Sequence, residues 1–149
     1  MGSQSDHSIM KDCEKILKIL KVKYQVSIVS AHRTPKRMFD FAEKAEKNGF
    51  GVIIAGAGGA AHLAGMVASL TILPVLGVPM ETKKLKGLDS LLSMVQMPKG
   101  VPIGCLAIDG AFNAGILAAS IIGNYDEKIK SNLEKWRRLQ TQSIKKKTK

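Results

Sequence analysis

Three short stretches of this 149-residue chain carry the residue types from which proton transfer and anion binding are built. In "SAHRTP" (30–35) an apolar run gives way at once to His32 and Arg33. Histidine has an ordinary pKa close to neutrality, so it can take up or release a proton there. Arginine is a fixed cation that pairs with phosphate or carboxylate. In "GAGGAAHLAG" (56–65) the glycines let backbone come close to a ligand, and His62 follows them. In "GSQSD" (2–6) Ser3, Ser5 and Asp6 place hydroxyls, a carboxylate and backbone N–H groups at a helix start, a natural seat for phosphate. Taken singly, each stretch reads equally well as something ordinary: a Ser/Asp cap, a loop histidine beside a surface arginine, a tight strand-to-helix turn. The glycine stretch does not have the dinucleotide spacing G-x-G-x-x-G, and it lacks the acidic residue that such a motif carries about 20 residues on.

The combination depends on the elements that would bring the loops together. Met10, Cys13, Ile16, Leu17 and Leu20 form an apolar stripe at helical spacing, with Ser5 or Asp6 as its expected cap. "YQVSIV" (24–29) reads as a β-branched strand. Thr34 then reads as an N-cap with Pro35 at the first helical position, and the helix carrying Met38, Phe41, Ala42 and Ala45 stops at Asn48-Gly49. "GVIIAG" (51–56) and "LPVLGVP" (73–79) are continuous apolar runs, the pattern of parallel strands covered on both faces. Between them lies a small-residue helix at about 60–70. A short helix (88–95), a last strand (102–108), an all-apolar helix (111–122) and an amphipathic helix bearing Ile129, Leu133, Trp136 and Leu139 complete the pass.

Such alternation predicts an open α/β parallel sheet with helices on both faces. In that architecture ligands bind outside the carboxyl ends of the strands, and all three unusual loops fall at that edge. Together they describe a pocket for a small phosphorylated anion. No carboxylate pair, metal-ligand spacing or G-x-S-x-G elbow points to other chemistry. His7, on the first helical turn, reads as a solvent-facing bystander. A doubly wound sheet should also begin with a strand feeding the 2–6 loop, and only Met1-Gly2 stand there. The expectation is that this first strand is missing from the chain.

Bulk properties narrow the class. One domain is the expectation from length, divided into an α/β body (1–123), a C-terminal helix of the same domain (124–142) and a basic tail (143–149). The net charge is +11, but residues 124–149 hold nine Lys/Arg against three Asp/Glu, so over half the excess sits at the C-terminus as a solvated tail. Seven aromatics, none interleaved with the closing "IKKKTK", give little support to nucleic-acid binding. Residues 50–80 carry no charge and are long enough to imitate a membrane span, but their glycines and two prolines would break a continuous helix. The expectation is therefore a soluble protein with no membrane partner. Cys13 and Cys105 lie in no metal or redox spacing and read as reduced thiols of a cytoplasmic protein.

"MGSQSD", "SAHRTP", "GAGGAAHLAGM", "LPVLGVP" and "LLSMVQMPKGVPIG" occur in an order and spacing that resemble the PurE family, over about residues 1–140. That family is the 5-(carboxyamino)imidazole ribonucleotide mutase of purine biosynthesis, and the sequence resembles its class I. The resemblance implies a flavodoxin-like three-layer sandwich, a homo-octamer with the C-terminal helix reaching neighbouring subunits, and carboxylate transfer without metal or organic cofactor. It also implies roles: Ser3, Asp6 and Arg33 binding the ribonucleotide with Ser5 and Ser30 in support, and His32 as general acid/base. Gly58, Gly59, Ala60, Ala61, His62 and Leu63 would line the carboxylate pocket, and Asn113 would reach a neighbouring site. Ala64 stands where the family commonly has proline. Three alternatives are kept: a class II carboxylase using carbon dioxide, a non-catalytic nucleotide- or flavin-binding module, and an electrostatic binder that depends on residues 143–149.

Overall fold

The computed structural model describes residues 1–145; most of the basic tail lies beyond them. Its helices are α1 (His7–Ile19), α2 (Pro35–Ala45), α3 (Leu63–Ala68), α4 (Leu88–Val95), α5 (Ala111–Ile122) and α6 (Glu127–Ser143), with a 3₁₀ turn at Gln4–Asp6. Three parallel strands, β1 (Ile53–Gly58), β2 (Val75–Met80) and β3 (Gly104–Cys105), lie in that order. β1 and β2 pair over their full length, from Ile53↔Val75 to Gly58↔Met80. All six β2 residues are buried, as a parallel strand with both faces covered requires.

The sheet separates two apolar clusters. On one face Met38, Ala42 and Ala45 of α2, Leu63, Ala64 and Val67 of α3, and Met94 of α4 pack with Ile53, Ala55 and Ala57. On the other, Met10, Cys13, Ile16 and Leu17 of α1 meet Ala111, Ala114 and Ala119 of α5 and Ile129 and Leu133 of α6, together with Val78 and Met80. This is the expected three-layer α/β arrangement. The small residues of α5 allow a close approach: a Cβ on Gly115 would lie 2.5 Å from Ile16 Cγ2. α6 uses only part of its stripe, since Leu139 is exposed while Trp136 tilts against Phe112.

The 24–29 segment departs from expectation. It is not assigned as a strand, because a ladder needs a neighbour and this segment has one only at Met1. The Met1 ammonium donates to Ser27 O (2.9 Å) and Val29 N–H to Met1 O (2.8 Å), while on the other side Gly2 N–H donates to Gly56 O (3.0 Å). Met1-Gly2 thus stand between 24–29 and β1, where the first strand is expected. Below them the two segments are separated by a cavity of about 130 Å³ lined by apolar side chains including Leu17, Val29, Ile53 and Val67. Burial there lowers the Met1 amino pKa from its ordinary value, an effect that Asp6 partly opposes.

Local signals set the other boundaries. Pro35 opens α2, and Gly49, with φ +82°, turns the chain after it. Thr34 stands at the N-cap, but its hydroxyl folds back instead of capping, accepting from Ser30 N–H (2.9 Å) and donating to Ser30 O (3.1 Å). Asp6 likewise does not cap α1 with its side chain; Oδ2 accepts from Ser3 N–H at 2.8 Å, in a capping box that closes the 3₁₀ turn on itself. Both departures tighten the loops that carry the candidate site.

Candidate active site

The three loops do converge at the carboxyl edge of the sheet. They enclose a polar cavity of about 330 Å³, lined by Gly2, Ser3, Ser5, Asp6, Ser30, Ala31, His32, Arg33, Ala57, Gly58, Ala60, His62 and Leu63, and by Met80, Glu81 and Thr82. Each wall has a distinct origin. Ser3, Ser5 and Asp6 lie on the 3₁₀ turn ahead of α1, with the Ser3 and Ser5 hydroxyls bonded to one another. Ser30, His32 and Arg33 follow the 24–29 segment, and Gly58 to Leu63 join β1 to α3.

His32 Nε2 lies 2.9 Å from His62 Nδ1, with the rings nearly perpendicular at 80° and centroids 5.0 Å apart. One nitrogen donates and the other accepts, so the two imidazoles fix each other's tautomer and orientation. Both rings are exposed to the cavity mouth. Arg33 is aimed inward by three contacts. Its backbone N–H and its Nε reach Ser30 Oγ at 3.2 and 3.4 Å, and its terminal nitrogen donates to Gly2 O at 3.3 Å. Ser30 is itself buried, so it serves as a post for the arginine and not as an exposed hydroxyl. An arginine braced in this way keeps donors for an anion, and Ser3 and Ser5 line the same cavity.

Of the residues expected from sequence, Ser3, Ser5, Asp6, Ser30, His32, Arg33, Gly58, Ala60, His62 and Leu63 share the cavity wall. Gly59 and Ala61 do not. Ala61 is buried in the core cluster, and Gly59, at φ +71°, turns behind the wall and gives its N–H to Ser90 Oγ. His7 is not solvent-facing: it is half-buried and lies 2.8 Å from Glu14 Oε1, outside the cavity. Sequence reasoning did not include Met80, Glu81 and Thr82, which reach the cavity from the end of β2. The signal was available, since the same rule that selects the ends of the first strands applies to the end of "LPVLGVP".

Comparison with known proteins agrees with this geometry. Residues 1–143 match the family model described as AIR carboxylase. A protein of Haemophilus influenzae named N5-carboxyaminoimidazole ribonucleotide mutase is 55% identical over 97% of this chain and 89% of its own length. One of the same name from Thermotoga maritima is 58% identical over 93% of this chain and 83% of its own. A crystal structure of Treponema denticola PurE superposes with a TM-score of 0.85 at 25% identity, covering 97% of this chain and 90% of that one. By motif, by overall identity and by fold, the chain belongs to the AIR carboxylase (PurE) family.

Proposed function

We propose that the chain is a mutase converting N5-carboxyaminoimidazole ribonucleotide to its C4-carboxylated isomer. The observation that carries this is the His32–His62 pair at 2.9 Å, set in one polar cavity beside Arg33 and the glycine loop. The names of the relatives at 55% and 58% identity support the substrate. In this reaction the bond from the exocyclic nitrogen to carboxyl carbon breaks, giving carbon dioxide, and that nitrogen takes up a proton. C4 of the ring then bonds to the carbon dioxide and loses its own proton. One group that accepts at C4 and donates at nitrogen suffices, and His32 is that group, with His62 holding its ring in place.

Arg33 pairs with the ribonucleotide phosphate, and Ser3 and Ser5 add hydroxyl donors. Asp6 accepts from ribose hydroxyls. Backbone at Gly58 and Ala60, with the buried Leu63 side chain, forms a wall without charge that holds carbon dioxide away from water. Ala64 is buried at the start of α3 and packs in the core cluster, so its effect is on helix seating and not on contact with substrate. No metal or organic cofactor takes part.

The chain acts as a homo-octamer in the cytoplasm. No described helix is long and apolar enough to cross a membrane. Leu85, Leu88, Leu92 and Val95 on and before α4 expose an apolar row suited to subunit contact. The description of the family as a carboxylase favours one second reading, direct carboxylation of aminoimidazole ribonucleotide by carbon dioxide. Assays with and without bicarbonate separate the two: a mutase turns over the carboxyamino substrate with none added, whereas a carboxylase requires it.

A further inference from the structure

Ser90 lies outside the cavity lining, yet its hydroxyl bridges the two strands that end there. The residue is 0% exposed, and its Oγ donates to Met80 O (2.7 Å) and accepts from Gly59 N–H (2.9 Å). Met80 and Gly58 are the last register pair of β1 and β2, so this hydroxyl takes over where the ladder stops. Gly59, at φ +71°, swings its peptide out of the ladder line, and its partly buried N–H needs an acceptor that the ladder no longer supplies. From one turn further along α4, Ser93 Oγ donates to Asp89 O at 2.7 Å and lies 3.3 Å from Gly59 O. Three residues after Gly59, His62 opens α3 and meets His32.

We propose that Ser90 is a positioning residue for the site: it holds the Gly58–His62 loop against the end of β2 at the height where His62 meets His32. Ser93 secures the next peptide of the same loop through Gly59 O. The kinetic part of this role rests on the mutase function proposed above.

Two readouts test it. In Ser90→Ala, kcat is expected to fall about 10- to 100-fold with KM changed less than about threefold, as a small misplacement of catalytic groups does. Ser90→Thr keeps the hydroxyl and should recover most of the rate. Leu133→Ala, which thins the core on the opposite face, should lower thermal stability but keep kcat. Independently of activity, the Gly59 amide should exchange slowly with solvent in the unmodified chain and rapidly in Ser90→Ala, with the His62 ring resonances shifting. Rapid Gly59 exchange in the unmodified chain, or an unchanged kcat in Ser90→Ala, would overturn the role. If the unmodified chain fails to turn over the substrate, the mutase assignment falls, and Gly59 exchange still decides whether Ser90 holds the loop.

Discussion

The two flanks of the cavity are held in different ways. The flank that carries His62 grows out of β1, which is paired to β2 over six residues and locked at its end by a buried hydroxyl. The flank that carries Ser3, Asp6 and Arg33 hangs on Met1-Gly2, through three backbone bonds and the Arg33 contact to Gly2 O. Behind it lies the apolar cavity between 24–29 and β1. Sheet pairing therefore fixes the loop that carries His62, whereas a two-residue contact supports the loops that carry Ser3, Asp6, His32 and Arg33. Local opening should begin on the second flank, where fewer backbone bonds must break.

The largest effect should come where the two flanks meet, at His32, which the soft flank carries beside Arg33 and which pairs with His62 of the firm one. His32→Asn removes the proposed acid/base while keeping a polar side chain, so kcat should drop by about 10²- to 10⁴-fold with substrate binding retained, read by turnover beside a binding titration. Unchanged turnover would remove His32 from the chemistry. On the softer flank, Arg33→Ala should act on binding. Loss of the proposed charge-assisted bonds to phosphate should raise KM by about 10- to 100-fold, with kcat much less affected. Saturation kinetics like those of the unmodified chain would reject the anchor.

A third experiment reverses the difference instead of exploiting it. Fusing five or six β-branched apolar residues ahead of Met1 should place a strand between 24–29 and β1, filling the apolar cavity. The melting temperature should rise by about 5 °C or more, with KM falling as Ser3 and Asp6 are steadied. An unchanged melt would show that the second flank is already as firm as the first.

The smallest effect concerns Cys13, which lines that apolar cavity. Burial, with a lesser contribution from Glu14, pushes its thiol up from 9.0 to about 12. The folded pKa lies above the unfolded one, so this group's contribution to stability is complete below pH 9 and is lost as pH rises toward 12. At pH 8 a thiol reagent should modify the half-buried Cys105 first, although burial raises that thiol too, and reach Cys13 only through opening of the soft flank. Mass spectrometry of a labelling time course checks the order, and the strand fusion should slow the Cys13 step further.

What could be read from sequence divides along the same line. Pro35 at a helix start, Gly49 beyond a helix end and the apolar runs of β1 and β2 act through local rules, and each element formed where those rules place it, within two or three residues. The loop convergence was legible because parallel strands send every following loop to one edge. Segment 24–29 has the composition of a strand but forms no ladder, because pairing is a property of two segments and composition describes one. Thr34 and Asp6 have the chemistry of caps, yet each found a closer backbone partner, in Ser30 and Ser3. Ser90 was invisible for a related reason: nothing in "GLDSLLSM" indicates that one serine of a helix will face the end of β1, which only the packing of α4 on the sheet decides.

Turnover of N5-carboxyaminoimidazole ribonucleotide by the purified chain, with no bicarbonate and no metal added, tests the central claim most directly. A mutase whose pocket retains its own carbon dioxide will form the C4-carboxylated isomer under these conditions. Accumulation of aminoimidazole ribonucleotide without the isomer, or no consumption of substrate at all, would contradict it.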